Sequence, residues 1–390
     1  MAQESVIKNT GLRGVKVADT KISFIDGEKG ILIYRGYRIE DLAEHSTFEE
    51  TAYLLLRGEL PSRSQLGSFK DRIASYGRLP GYLRRTMELL PKNANPMKVL
   101  ISSIAMIAFE DWESEDSTIE AYEDKAARLI AAMAVSMTAW DRIRRGLDPV
   151  PYVKGLSHGE NILYMMTGEK PDPDVAKVLD ICLILHADHT FNASTFACRE
   201  VASTQADIYA GVVAGLASLS GPLHGGANEK AMNMMDELKE IDDIEAWIRD
   251  RLSAKEKIYG MGHAVYKTYD PRAAVLKGIL EKLSARTGQS ELYQLCASVE
   301  DAAIKVLSEK GKDQIKPNID FYSGTVYKMM GFPHDLFTPI FAVSRIAGWC
   351  SHIIEERFGL AQEKPSLYRP AAEYVGNYCG LTGCEYKQKQ

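Results

Sequence analysis

No stretch of this sequence combines membrane-spanning length with unbroken apolarity. The longest uncharged run, Ile208 to Asn228, is interrupted by Gly211, Gly215, Gly221 and Pro222 and stops being apolar near Leu219, so it reads as a buried core helix. Met1 to Gly11 has no apolar run between a basic flank and a cleavage site, which predicts no secretory signal and a cytoplasmic chain. An excess of positive charge is missing too. With 47 Lys and Arg against 53 Asp and Glu, and a formal net charge of -6, no broad footprint for nucleic acid or an anionic membrane is expected. The six cysteines (Cys182, Cys198, Cys296, Cys350, Cys379 and Cys384) form no C-x-x-C pair, and a chain of 390 residues needs no disulfide staples, so reduced thiols are expected.

Several chemical signatures are absent as well. There is no G-x-x-x-x-G-K-[ST] loop, and Gly260-Met261-Gly262 lacks the third glycine and the preceding strand of a dinucleotide fingerprint. No serine stands in a G-x-S-x-G elbow and H-E-x-x-H does not occur, so the simple hydrolase templates fail. No repeat of fixed period marks a helical solenoid.

What is present is helical periodicity. After Ser117 and Thr118, apolar residues at Ile119, Tyr122, Ala126, Leu129, Ile130, Met133, Met137 and Trp140 recur at threes and fours until Gly146, one long amphipathic helix. Asp174 to Ala187, Ile208 to Leu219, Ile244 to Leu252, Leu292 to Leu307 and Leu336 to Glu356 show similar spacing between Gly, Pro and Asn breakers. Strand signals are confined to Lys21 to Asp26 and Ile31 to Ile39, a small hairpin about the turn Gly27 to Gly30. The expected class is therefore all-α with a minor N-terminal hairpin. The clusters Gly221 to Gly226 and Lys316 to Asn318 read as hinges enclosing a second helical domain inserted in the first, with 1–222 and 320–390 as the large domain and 223–319 as the small one.

Four of the eight histidines lie between 186 and 263, beside glycines, another histidine or a helix end. His186 and His189 close one helix three residues apart, which invites a metal, but no third ligand is placed by spacing. His189 suits an anion or carbonyl better, against the bland reading of helix-end structural histidines. His224, between glycines just before a helix starting near Ala227, can sit at a helix N-terminus, where the dipole favours a neutral ring able to donate to a developing enolate. Otherwise it is an exposed histidine in a turn. In Tyr259-Gly260-Met261-Gly262-His263, small residues let backbone amides approach a pantetheine or phosphate, unless this is an ordinary helix-ending loop. Arg272, Arg345 and Arg369 can each grip a carboxylate bidentately, although a lone arginine is usually a solvated charge. Asp320, in Pro317-Asn318-Ile319-Asp320-Phe321, is either a carboxylate whose apolar setting raises its pKa and sharpens it as a base, or a helix N-cap.

Together these segments resemble the citrate synthase family over nearly the whole chain. The likeness begins with IDGEKGILIYRGYRIEDLAEHSTFEETAYLLLRGELP and continues through HADH, GPLHGGANE, GMGHAVYKTYDPRA, PNIDFYSG, FTPIFAVSRIAGW and LYRPAAEYVG. The resemblance implies a two-domain all-α homodimer in which His224, His263 and Asp320 are catalytic. It implies that His189, Arg272, Arg345 and Arg369 bind oxaloacetate, Arg369 reaching the partner's site, and that Ile258, Tyr259, Gly260, Met261 and Gly262 hold coenzyme A. It further implies condensation of an acyl-CoA co-substrate with oxaloacetate, without metal or tightly bound cofactor. Relatives that use propionyl-CoA share every motif quoted, and one methylene in an apolar pocket discriminates by only about 1–3 kcal/mol. A non-catalytic helical scaffold is the expectation from another class, disfavoured by the intact set of His224, His263, Asp320 and the three arginines.

Overall fold

The computed structural model describes residues 11–12, 14–111, 117–376 and 380–385. Strands β1 (Ser23–Asp26), β2 (Ile31–Tyr34) and β3 (Tyr37–Arg38) form one antiparallel sheet in the order β1-β2-β3. The sequence predicts a single second strand over Ile31 to Ile39. That segment instead folds back on itself, because Arg35 (φ 48°) and Gly36 (φ 94°) both take left-handed backbone and turn the chain between β2 and β3.

Sixteen α-helices follow among the described residues: α1 (Ile39–His45), α2 (Phe48–Arg57), α3 (Arg63–Ser75), α4 (Gly81–Leu89), α5 (Pro96–Ile107), α6 (Ile119–Arg144), α7 (His158–Thr167) and α8 (Pro173–His186) lead into α9 (Ala193–Ser203), α10 (Ile208–Leu219), α11 (Ala227–Leu238), α12 (Ile244–Ser253), α13 (Pro271–Thr287), α14 (Ser290–Glu309), α15 (Ile319–Met329) and α16 (Phe337–Phe358). Their starts are written locally. Thr47, Ser62 and Ser157 each form a capping box with the Glu or Gln three residues on, and Asn95, Asp172 and Asp270 each accept first-turn amides ahead of a proline. Thr118 caps α6 as its position predicts. None of these helices is long and apolar enough to cross a membrane.

Two helices buried along most of their length organise the core. In α6, Leu129 to Asp141 is buried without a break, and α16 is buried from Phe337 to Ile340 and from Ala342 to Glu356. The helix α16 packs on α2, α6, α8, α9 and α10, so its position fixes the others. Close crossings rest on small residues. A Cβ at Gly215 of α10 would stand 2.5 Å from Cys198 Sγ and 3.2 Å from Trp349. In the segment 223–319, α12 and α13 pack on α14, while α13 also meets α1, α8 and α15, and α11 meets α15 and α16.

The thiols depart from expectation at one end. Cys182, Cys198, Cys296 and Cys350 are free and buried, but Cys384 is disulfide-bonded, while Cys379 lies outside the described residues. The size argument concerned what a core needs, and Cys384 stands on the exposed C-terminal segment, outside the core.

The tightest crossing yields a prediction. The Gly348 amide of α16 donates to Ala187 O at 3.1 Å, and a Cβ there would lie 2.3 Å from that oxygen and 2.6 Å from Asp188 Oδ1. Gly348→Ala must therefore push the end of α8 off α16, and overpacking of this kind costs about 1–3 kcal/mol. Thermal melting should fall by a few degrees, and an unchanged melting curve would show that this crossing is soft.

Candidate active site

Five segments converge on one cavity of about 380 Å³: the residues after α8, the turn before α11, the loop before α13, the start of α15 and the middle of α16. They bring His189, His224, Gly262, His263, Arg272, Asp320 and Arg345 to its walls, with Asn192, Asn228, Thr338 and Phe341 between them. Another groove of similar volume, near Tyr53, Phe69 and Asp124, lies apart from these groups, and in it Arg57 pairs with Glu123 and Arg72 with Asp124.

The two histidines nearest glycines are both neutral donors, and backbone geometry fixes which nitrogen carries the proton. His224 Nε2 accepts from the Ser194 amide at 3.2 Å and lies 2.8 Å from the Ser194 hydroxyl, so its proton resides on Nδ1. His263 Nδ1 accepts from the amides of Val265 at 3.0 Å and Tyr266 at 3.2 Å, which leaves its proton on Nε2. Burial lowers each pKa to about 4, helped by Arg345 for His224 and by Arg272 for His263. His224 does precede α11, as expected. Burial is nevertheless the largest cause of its neutrality.

His189 is buried, its Nε2 is 3.2 Å from the Tyr266 hydroxyl, and its ring centroid is 5.4 Å from that of His263. Burial, Arg272 and His263 hold its pKa well below the ordinary histidine value. The preceding Asp188 anchors it: Tyr34 Oη donates to Asp188 O at 2.7 Å, Ser23 Oγ donates to the carboxylate, and His352 Nε2 faces that carboxylate at 3.2 Å. His186 takes no part. It back-bonds to Cys182 O at 2.8 Å inside the core, and among the described residues no His, Cys, Asp or Glu trio is placed to hold a metal.

Asp320 is not the helix N-cap. Asn318 is, its Oδ1 accepting from Asp320 N at 2.9 Å, which leaves the Asp320 carboxylate free to face the cavity in the first turn of α15. Burial raises its pKa to about 6, and Asp270 adds repulsion, against the lowering influence of Arg272 and Arg345. Arg272 lies flat on Asp270, with Nε to Oδ1 at 3.0 Å and Nη2 to Oδ2 at 2.9 Å. Arg345 Nε donates to His186 O at 2.6 Å, and among the described residues no carboxylate bonds to its guanidinium. Burial lowers the Arg345 pKa to about 10, more than Asp188 and Asp320 raise it. Arg369 is exposed and does not reach the cavity of its own chain.

The glycine loop differs from its sequence reading. Of Ile258, Tyr259, Gly260, Met261 and Gly262, only Gly262 lines the cavity. The Met261 amide donates to Ile258 O at 3.2 Å and the Gly262 amide to Lys316 O at 2.8 Å, so these two are engaged within the chain rather than open to a ligand. Gly260 (φ 80°) is needed because a Cβ there would lie 2.7 Å from Phe321 Cα. The loop is thereby clamped to the start of α15. Ser194, Tyr266 and Asp270, which set the histidines and Arg272, escaped the sequence reading; only Asp270 carried a local signal, standing before a proline at a helix start.

Residues 11–371 match the family model for citrate synthase, C-terminal domain. The chain is 40% identical to a citrate synthase of Synechocystis sp., covering 97% of this chain and 93% of that protein. It is 38% identical to a 2-methylcitrate synthase of Shewanella oneidensis, covering 96% and 97%. The solved ternary complex of carboxymethyl coenzyme A and oxaloacetate with citrate synthase from Thermoplasma acidophilum superposes with a TM-score of 0.85 at 35% identity, covering 95% of this chain and 97% of that one.

The raised pKa of Asp320 predicts a pH-dependent stability difference. Its folded value, about 6, exceeds the ordinary 3.8, so wild-type stability declines as pH rises from near 4 to near 6, where the unfolded chain ionises first. Asp320→Asn escapes that decline. Its melting temperature relative to wild type should rise across this window and level off above it; a difference independent of pH would refute the shift.

Proposed function

The chain belongs to the citrate synthase family and is an acyltransferase of that type, and on that premise we propose that it condenses acetyl-CoA with oxaloacetate and water to give citrate and free coenzyme A. The observation that carries this reading is one partly buried carboxylate, Asp320, sharing a cavity with two neutral histidine donors and two arginines. Asp320 removes a proton from the acyl methyl group while His224 Nδ1–H hydrogen-bonds the thioester oxygen, so the enolate forms against a donor instead of as a free charge. Arg345, Arg272 and His189 hold oxaloacetate with its keto carbonyl toward the new nucleophile. His263 Nε2–H then supplies the proton for the alkoxide, and water hydrolyses the citryl thioester.

Arg345 supports the assignment of a dicarboxylate, since a buried guanidinium without a carboxylate partner gains most from an anionic ligand. The coenzyme A thioester is a co-substrate; the reaction as written draws on no resident cofactor. Gly262 and the rest of 258–262 are assigned to the coenzyme side, chiefly through shape, because the Met261 and Gly262 amides are engaged. We further assign 223–319 to a small domain and the remainder to a large one. The protein then works as a cytoplasmic homodimer, the exposed Arg369 of each subunit completing the other's site.

Thiol release from acetyl-CoA with oxaloacetate tests the function directly. Propionyl-CoA measured beside it decides between citrate and 2-methylcitrate synthesis, a choice left open by the 38% identity to a 2-methylcitrate synthase. Asp320→Asn and His224→Ala should each lower kcat by about 10²-fold or more, and near-normal turnover in either would remove its assigned role. Co-expressed Arg369→Ala and Asp320→Asn subunits should restore one working site per heterodimer. Isolated heterodimers without activity would count against a shared site.

A further inference from the structure

The three-stranded sheet takes no part in the chemistry above, yet its first hairpin touches both loops that carry His189 and His263. At its base, Ser23 Oγ of β1 bonds the Asp188 carboxylate and accepts from Thr190 N at 3.2 Å, while Tyr34 Oη of β2 donates to Asp188 O at 2.7 Å and accepts from Asp188 N at 3.1 Å. The residues on both sides of His189 are therefore pinned to the sheet. At its tip, Gly27 O accepts from Lys267 N at 2.9 Å. Contact there is backbone against backbone: a Cβ at Gly27 would lie 2.3 Å from Val265 O, and one at Gly30 would lie 2.6 Å from Tyr269 O. The turn itself is stiffened by Asp26 Oδ1, which accepts from Glu28 N at 3.1 Å and Lys29 N at 3.0 Å.

We propose that the β1–β2 hairpin is a positioning strut that sets the spacing of His189 and His263, and that Gly27 is its indispensable contact. Val265 is the link. Its carbonyl rests against Gly27 while its amide, together with that of Tyr266, holds His263 Nδ1, so a displacement of Val265 moves the ring and disturbs its tautomer. Tyr266 carries the same displacement to His189 through the contact between its hydroxyl and Nε2 at 3.2 Å. A rigid element joined at one end to the His189 loop and at the other to the His263 loop keeps the rings, 5.4 Å apart between centroids, in the geometry that serves one keto acid. The inference rests on the roles of these two histidines in the proposed condensation.

Gly27→Ala is a clean probe, because Gly27 lies outside the left-handed region and the substitution adds steric contact without backbone strain. Gly36→Ala is its control, straining the β2–β3 turn (φ 94°) with nothing within 4 Å of the new Cβ. Gly27→Ala should lower kcat/KM for oxaloacetate by about 10²-fold, the effect of a 1 Å misplacement, with KM for acetyl-CoA unchanged. Gly36→Ala should lose melting temperature yet keep wild-type kcat/KM. Normal kcat/KM in Gly27→Ala, or an equal loss in Gly36→Ala, overturns the proposal. Hydrogen exchange separates it from the functional reading and also serves if Gly27→Ala fails to fold. The Lys267 amide of the wild-type chain should exchange as slowly as the amides of β1, whatever the enzyme's substrate, and exchange at the rate of an open loop overturns the strut. Wild-type enzyme that releases no thiol while Lys267 stays protected would sink the condensation and leave the contact standing.

Discussion

The carboxylate of Asp270 holds the site together. It accepts from Arg272 N at 3.1 Å, Arg272 Nε at 3.0 Å, Arg272 Nη2 at 2.9 Å and Ile319 N at 3.2 Å, joining the first turns of α13 and α15 in one buried group. Burial pushes its pKa up, but Arg272 more than reverses that and holds it below the ordinary carboxylate value. Arg272 is thus fixed in orientation, and Asp320, one residue beyond the Ile319 amide, is fixed in position. The two aspartates divide the work of charge. Asp270 stays ionised and structural, and its repulsion helps keep the Asp320 carboxyl near the pH at which a base can cycle.

Against that frame the histidines act as donors instead of cations. Burial together with Arg345 and Arg272 lowers His224 and His263 to about 4, so neither brings a positive charge into a cavity that already holds two guanidinium groups. A neutral imidazole is a weak acid. It stabilises an enolate or alkoxide by a hydrogen bond whose strength grows as charge develops, which favours the transition state over the ground state. The backbone amides of Ser194, Val265 and Tyr266 make this reproducible, since an amide can only donate and so forces the ring nitrogen it meets to accept.

Much of the cavity's lining was legible in the sequence because the candidate residues sit where the chain is punctuated. His224 stands among glycines, His263 follows Gly260-Met261-Gly262, Arg272 follows a proline, and Asp320 follows Pro317 and Asn318. Helix periodicity likewise located α6, α8, α10, α12, α14 and α16 to within a few residues. What stayed hidden depends on tertiary approach. Ser194 lies 30 residues from His224 and Tyr266 lies 77 from His189, so no local pattern announces either contact. The amides of the glycine loop looked available because small residues expose them, and it took Lys316 folding alongside, its carbonyl accepting from the Gly262 amide, to close that one off. The split of the second strand into β2 and β3 turned on Arg35 adopting a positive φ, a conformation that side chains rarely take and that sequence therefore rarely signals.

A final asymmetry concerns the helix starts that meet the cavity. Asn318 caps α15 and Asp270 caps α13, each with a side-chain oxygen that satisfies a first-turn amide. The helix α11, which begins beside His224, has Gly226 at its cap with no side-chain acceptor. Gly226, Ala227 and Asn228 line the cavity, so the partial positive charge of this helix start, tempered by Glu229 in the first turn, falls on the same side as Arg345 and Arg272. A carboxylate at the α11 cap would have satisfied the helix at the expense of that field. The chain places glycine there instead, and Gly225 before it admits no side chain, since a Cβ would stand 2.0 Å from Leu219 O. The turn is compact enough to bring His224 to the cavity and bare enough to leave the field for an anionic substrate, so steric closeness and electrostatic preorganisation follow from the same pair of glycines.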